Sequence, residues 1–579
     1  MMFLDVIKKK VLELAMANWM FRLVLFLALR PKRCLSEFWY PMHDFRKFKE
    51  SVAGYRQFLA GKKPRVDVAD AEKKPGLLIV AGVMSAQWCQ IWSILAGAYK
   101  DSGYRTFVLT SKGQPIQNWY FDLFGVEKIY VEDLKFDSVR LPDALTGQIA
   151  QLDTFDAFKQ FEHEGCPIGK MALSTYSRMR TTGIMDVDDP QSVNEVRSWA
   201  TYICKVLIAA GRLYEKYQIT QLFITELFMD YYGGLYYQAL KQDLNIIRFA
   251  GTVRDNAIVV AHQNRKNDRT HFSSITPESW ADIISRPFHG GVEQELTGNF
   301  EDRYGDRWAL SKRNQPNTVV SPPEEVRAEL GIAPERKVAI IYSHILYDTL
   351  FFNGEYLFRN YAEWLVESIR AACKNPNVDW FIKVHPSNLW RGELENSLDG
   401  LYEEVRLIRE FIGELPDHVK LIYPDTPYSP YTWLQVADYG VTVTGTSGIE
   451  LGALGKAVVT AGTGRYENIG FTINSDIKED YLNVLGSIES YPMPSPEQTE
   501  LAKRFAYATF CMKPYTLDFL TPVAKSGIPE IKASEDLVYL AEFEAEDGGY
   551  PQSMLRFLEW SGDGDKIDFL NPWPEAPSK

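Results

Sequence analysis

Cysteine is sparse and unpatterned in this sequence. The six that occur, Cys34, Cys89, Cys166, Cys204, Cys373 and Cys511, show no C-x-x-C spacing, which argues against a zinc cluster or a disulfide framework and predicts a reducing cytoplasm. Net positive charge is lacking too. A formal charge of -13 leaves no general basic surface to displace counterions, so a nucleic-acid partner is not expected and an anionic ligand needs a local site. Long apolar runs are also missing. The stretch VLELAMANWMFRLVLFLAL is split by Arg22, and Leu23 to Leu29 is far shorter than the roughly 20 residues a bilayer needs. A small-residue cleavage site of the signal-peptide kind is absent, and so is any internal repeat.

The ends of the chain differ from its middle. Residues 1 to 70 begin with a basic and apolar segment in which lysines and arginines surround Trp19, Met20, Phe21 and Phe26. Such a segment suits a helix lying on an anionic membrane surface, at the inner face of the cell membrane, or a helix docked on the protein's own core. Residues 524 to 579 form an acidic extension containing EFEAEDGG and SGDGDKID, the composition of a solvated appendage with a few aromatic anchors. Asp563-Gly-Asp565 reads as a polar turn rather than a metal site, and no metal is expected.

Between the ends, strand and helix signals alternate, the pattern of parallel sheets covered by helices. GLLIVAG, RTFVLTS, KIYVEDL, QLFIT and NIIRFAG mark a first α/β domain over residues 71 to 319, with an unassigned insertion at 136 to 195. RKVAIIYSHI, DWFIKV, KLIYPD, ADYGVTVT and KAVVTAG mark a second over residues 320 to 523. Two such domains in tandem leave a cleft, and ligands sit there beyond the carboxyl ends of the strands.

Three strand ends in the second domain carry chemistry. YSHILYD places His344 and Asp348 after one strand, and FIKVHPSN places Lys383 and His385 on one side of another, with Pro386 holding His385 out of helical geometry. The third is VTVTGTSGIELGALGKAVVTAG. Its Thr444, Thr446 and Ser447 offer hydroxyls, Gly445 and Gly448 allow close backbone approach, and a helix begins there, so the turn suits a nucleotide phosphate. Ser447 to Glu450 also fits a capping box that needs no ligand. Glu450 would repel a phosphate unless its carboxylate turns elsewhere, for example to ribose hydroxyls.

The ordered set KVHPSN, then ADYGVTVTGTSGIELGALGKAVVTAG, then GRYENIGFT resembles the bacterial capsule polysaccharide synthesis glycosyltransferases, the group that includes Kdo transferases and is akin to the His-Pro sialyltransferases. The resemblance covers residues 320 to 515 well and the first domain only through strand order. It implies a GT-B fold of two facing Rossmann-like domains. It also implies a nucleotide-sugar donor, favoured as CMP-Kdo, and a glycan or glycolipid acceptor, with no cofactor or metal. Residue by residue, it implies that His385 contacts the donor phosphate, that Thr446 and Ser447 bind it, and that Glu450 holds the ribose or base. Transfer also needs a carboxylate from the first domain, and ITELFMDYYGG offers Glu226 first and Asp230 second, with Asp255 in reserve. The loop AHQNRKNDRTHFSS either meets an anionic acceptor or is simply solvated. A sugar-nucleotide 2-epimerase of the same fold and a non-catalytic glycan-binding or assembly protein are the alternatives.

Overall fold

The computed structural model describes residues 40–61, 74–81, 85–305, 307–309, 317–348, 351–389, 402–524, 537–541 and 550–575. The basic segment at residues 1–39 lies outside the described residues. Helices α1 (Tyr40–Ser51) and α2 (Ala53–Gly61) follow it, and they bury Phe48, Val52 and Tyr55 in the core of the first domain.

The first sheet takes β1 (Gly76–Val80), β2 (Arg105–Thr110), β3 (Glu127–Tyr130), β4 (Ile219–Ile224) and β5 (Asn245–Gly251) in the parallel order β3-β2-β1-β4-β5, with β6 (Ala257–Gln263) antiparallel beside β5. GLLIV is buried at every position, as expected of a strand with a helix layer on each face. Helix α3 (Ala86–Asp101) crosses over from β1, capped by the Ser85 hydroxyl, which accepts from the Trp88 N–H. The unassigned insertion is helical and includes α4 (Ile168–Arg180), and it leads into α5 (Pro190–Tyr217), which starts at Asp189-Pro190 and buries a stripe from Val193 to Tyr214. Helix α6 (Asp230–Lys241) follows β4, and α7 (Gly290–Tyr304) runs toward the second domain.

The second sheet is wholly parallel. Strands β7 (Lys337–Tyr342), β8 (Val378–Lys383), β9 (Val419–Ile422), β10 (Tyr439–Thr442) and β11 (Ala457–Thr460) stand in the order β11-β10-β7-β8-β9. Each of these strands matches a run read from the sequence. The two sheets give the two-domain α/β architecture that the GT-B resemblance implies. Their cores are continuous. Phe228 of the first domain stacks on Phe352 of the second with ring centres 4.2 Å apart and planes within 5°, and both are buried.

The acidic extension departs from expectation. After a π-helical turn at Ala508–Met512, β12 (Pro514–Thr516) pairs antiparallel with β6 and completes the first sheet. Strands β13 (Leu520–Ala524) and β14 (Leu537–Ala541) form a ribbon. Helix α10 (Gln552–Gly562), which follows α8 (Glu403–Phe411) and α9 (Thr446–Ala453) of the second domain, buries Met554, Phe557 and Trp560 in the first domain's core. The solvated-appendage reading is therefore corrected for residues 550–575: acidic composition hid an apolar face at helical spacing, and each large side chain there contributes about 1.5–3 kcal/mol. Lys513 and Asp568 lock the crossing in place, 3.0 Å apart and each 2 % exposed. Burial pushes the Asp568 carboxyl up, but Lys513 and the Thr276 N–H and hydroxyl outweigh it and hold it below the ordinary range.

Removing one partner of such a pair strands the other, so Asp568→Asn should destabilise the chain by roughly 3–5 kcal/mol in urea unfolding. The contribution of Asp568 is present above the ordinary carboxylate range and should be lost as pH falls through its lowered folded value.

Candidate functional site

A cavity of about 360 Å³ lies where the carboxyl ends of β7, β8 and β10 face the first domain. Parallel pairing forces this convergence, because every strand of such a sheet ends on the same rim. His344, Lys383, His385, Gly445, Thr446 and Ser447 all line it, as does Glu450.

The glycine turn is built differently from a capping box. Helix α9 (Thr446–Ala453) has Gly445 as its N-cap, and no side chain caps it. Ser447 is already the second helical residue, so its hydroxyl is not spent on the cap, and the capping-box reading is corrected. Glu450 does not reach back to the turn. Its Oε1 accepts the Tyr304 hydroxyl at 2.6 Å and lies 3.2 Å from Arg303 Nε, both at the end of α7. With its charge met by Arg303, Glu450 no longer opposes an anion at the helix start. The backbone N–H groups there and the helix dipole remain for one. Gly448 has another duty. A Cβ at Gly448 would fall 2.2 Å from the Tyr466 hydroxyl, which donates to Gly445 O at 2.8 Å, so this glycine admits Tyr466 rather than a ligand and does not line the cavity.

Two cations face the turn without a carboxylate. Lys383 is 4 % exposed, and its Nζ makes no ion pair or hydrogen bond among the described residues. Burial pulls its ammonium down to about 8. Arg465 donates to Thr444 O at 2.9 Å, Thr446 Oγ1 at 3.2 Å and Ser273 Oγ at 3.1 Å, and burial pulls its guanidinium down to about 10. Buried charge of this kind is costly unless a counter-charge arrives. Arg465 sits after the last strand of the second sheet, in the GRYENIGFT stretch, and applying the strand-end rule there as well would have found it.

The histidines have fixed tautomers. His385 Nδ1 accepts the Ser387 N–H at 3.2 Å and lies 2.8 Å from Ser387 Oγ, so in the neutral ring the proton is on Nε2. The His385 N–H donates to Glu404 at 3.2 Å. His344 instead uses Nε2, which accepts the Val443 N–H at 3.2 Å, and its ring stacks on Tyr361 at 4.4 Å. Burial, with Arg465 beside it, pulls His344 down to about 3, so it stays neutral and braces the turn.

From the first domain, Glu226 follows β4 as expected. Its Oε1 accepts the Leu227 and Phe228 N–H groups at 3.0 and 3.3 Å. Burial raises its carboxyl, Arg248 opposes that, and Asp348, a lining residue of the cavity, adds to it. Asp230 begins α6, and burial raises its carboxyl too; neither Glu226 nor Asp230 is among the residues that line the cavity. Asp255 is occupied, accepting the Ala309 N–H at 3.0 and 3.2 Å. The loop after β6 divides: His271 lines the cavity, Arg265, Lys266 and Arg269 are exposed, and His262 is buried in β6 itself. Arg303, Tyr304 and Glu404 carried no local sequence signal, since each acts on residues distant in the chain.

If Lys383 meets a phosphate, nucleotide affinity should fall as pH rises through about 8, approaching about tenfold per pH unit as the ammonium loses its proton. Calorimetric titration from pH 7 to 10 checks this, and Lys383→Met should flatten the profile. His385→Ala should weaken the same nucleotide by about tenfold through loss of a hydrogen bond to a charged oxygen.

No protein-family model matches the chain, and no curated protein matches its sequence. Among solved structures, it is similar to the Thermosulfurimonas dismutans KpsC beta Kdo 2,4 transferase at 15% identity, over 51% of this chain and 81% of that one, with a TM-score of 0.29. It is also similar to the Neisseria meningitidis UDP-GlcNAc 2-epimerase bound to UDP-GlcNAc, at 11% identity over 75% and 95% of the two chains and a TM-score of 0.25. A glycosyltransferase from Rickettsia africae matches at 9% identity over 76% and 92%, with a TM-score of 0.25. These neighbours are glycosyltransferases and an epimerase.

Proposed function

We propose that the chain is a GT-B glycosyltransferase that moves a sugar from a nucleotide donor to a glycan or glycolipid acceptor. One observation carries the reading. Lys383 and Arg465, buried without carboxylate partners, stand with His385 at the uncapped start of α9. In this reading the donor phosphate takes the place of the missing counter-charge. Lys383 and the Nε2–H of His385 hold it, the Thr446 and Ser447 end of α9 receives it, and Glu450 Oε2 accepts from a ribose hydroxyl. As the bond between sugar and phosphate breaks, negative charge grows on the phosphate oxygen, and these fixed donors stabilise it without a metal. Glu226 takes the proton of the acceptor hydroxyl, and the upward shift that burial gives its carboxyl makes it a stronger base. Asp230, which begins α6 beyond Glu226, has no step in this scheme.

Kdo from CMP-Kdo is the donor to test first, on the resemblance of KVHPSN and TGTSGIELG alone, with a surface polysaccharide or its lipid-linked precursor as acceptor at the cytoplasmic membrane face. The full chain would be incubated with CMP-, UDP- and GDP-activated sugars, and nucleotide release and product followed. Glu226→Gln should retain nucleotide binding and lose turnover by about 10²–10⁴-fold. Epimerised donor with no transfer would replace this reading with a 2-epimerase, and nucleotide binding without turnover would replace it with a non-catalytic binding protein.

A further inference from the structure

The first domain supplies two groups that the scheme above does not use: His271, in the cavity lining, and Arg248, which lies behind that lining beside His271. Arg248, on β5, is 7 % exposed, and its Nε and Nη1 have no hydrogen-bond partner among the described residues. The rings of Phe228 and Phe272 flank its guanidinium, 5.3 and 5.4 Å from the central carbon. The faces are covered and the N–H edges are unmet. Glu226 is near enough to act on it electrostatically but forms no ion pair with it.

His271 stands next to this arginine. Its ring lies 4.2 Å from that of Phe272, so the two groups share a neighbour, and His271 also lines the cavity. Its Nδ1 accepts the Ser273 N–H at 3.1 Å and lies 2.8 Å from Ser273 Oγ. His385 is held in the same way by Ser387. Two His-x-Ser units, HFS from the first domain and HPS from the second, thus keep Nε2–H as the donor in the lining of one cavity. His271 is held well below the ordinary histidine range by burial and by Arg465 and Arg248, so it remains a neutral donor. A third group is unmet as well: Asn353 lines the cavity, and its buried Oδ1 receives no hydrogen bond.

We propose that Arg248 and His271 form a second oxyanion subsite on the first-domain side of the cavity, for an anionic group of the bound ligand other than the phosphate at Lys383 and His385. Asn353 Oδ1 accepts a hydroxyl of that ligand. The planar guanidinium edge matches a carboxylate or a phosphate through paired N–H groups, and burial between two rings strengthens the contact. This deepens the nucleotide-sugar reading and rests on it. A sugar or acceptor carboxylate and a second phosphate of the donor nucleotide offer the same chemistry, and they are distinguished by titration.

The full chain would be titrated calorimetrically with UMP against UDP, with CMP against CDP, and, while saturated with CMP, with methyl glucuronide against methyl glucoside. A preference for the diphosphates places a second phosphate in the subsite; binding of the glucuronide but not the glucoside places a carboxylate there. In either case Arg248→Gln and His271→Ala should each reduce that preference, by about tenfold for the arginine, whereas Lys383→Met should weaken all the nucleotides alike. Circular dichroism checks that the variants fold. If Arg248→Gln does not, Arg248→Lys, which keeps the charge and loses the planar fork, must still reduce the preference. Equal affinity for mono- and diphosphates together with no glucuronide binding overturns the subsite, as does a preference that survives both substitutions. Failure of the wild-type chain to bind any nucleotide overturns the donor reading instead. Titration with methyl glucuronide and inorganic phosphate alone, on wild type and Arg248→Gln, then decides the subsite by itself.

Discussion

A carboxylate withdrawn from water must find a cation or several hydrogen-bond donors, and Glu404 finds only donors. From α8 (Glu403–Phe411) it accepts the Ser343 hydroxyl at 2.6 Å, the His385 N–H at 3.2 Å and the Asn388 amide at 3.0 Å. Ser343 follows β7 and His385 follows β8, so this one carboxylate ties the two strand-end loops that form a wall of the cavity. Burial raises its carboxyl, and the donors oppose that. Satisfied polar networks of this kind rigidify what they join. The orientation of His385 depends on a residue that never needs to touch a ligand.

Charge is handled in two ways in one chain. Where it serves stability it is paired: Lys513 with Asp568, and Arg303 with Glu450. At Lys383 and Arg465 in the cavity lining, and at Arg248 behind it, no ion pair is made among the described residues. The folded protein bears that cost because the two domains share one apolar core beneath the cleft, with the Phe228 and Phe352 rings in contact. Strain or unmet polarity at a binding rim is tolerated when the surrounding packing over-determines the fold.

The strands were legible because parallel strands buried on both faces must be runs of apolar and β-branched residues, and KVAIIY, VDWFIK and AVVT are that. Their order made the rim legible, and with it His344, Lys383, His385 and the glycine turn. Long-range pairing is what local pattern could not reveal. Ser447 and Glu450 have capping-box spacing, yet Glu450 answers to Tyr304, 146 positions away. Gly448 looked like room for a phosphate and is room for Tyr466. The acidic C-terminal stretch misled because average composition outweighed three apolar residues at helical spacing. Arg248 stayed hidden because a lone arginine in a strand says nothing about which rings will enclose it.

The path of the chain through the π-helical turn at Ala508–Met512 has a consequence for how the protein comes into being. The strand that completes the first sheet and the helix that closes its core leave the ribosome only after the whole parallel sheet of the second domain. Domains usually fold in the order of their synthesis, but here the earlier domain keeps an open edge at β6 and an uncovered apolar face until the later one has emerged. Cleft, cores and crossing are therefore finished together, and a chain released before residue 550 would present the face built to receive Tyr550, Phe557 and Trp560 to whatever apolar surface it met first.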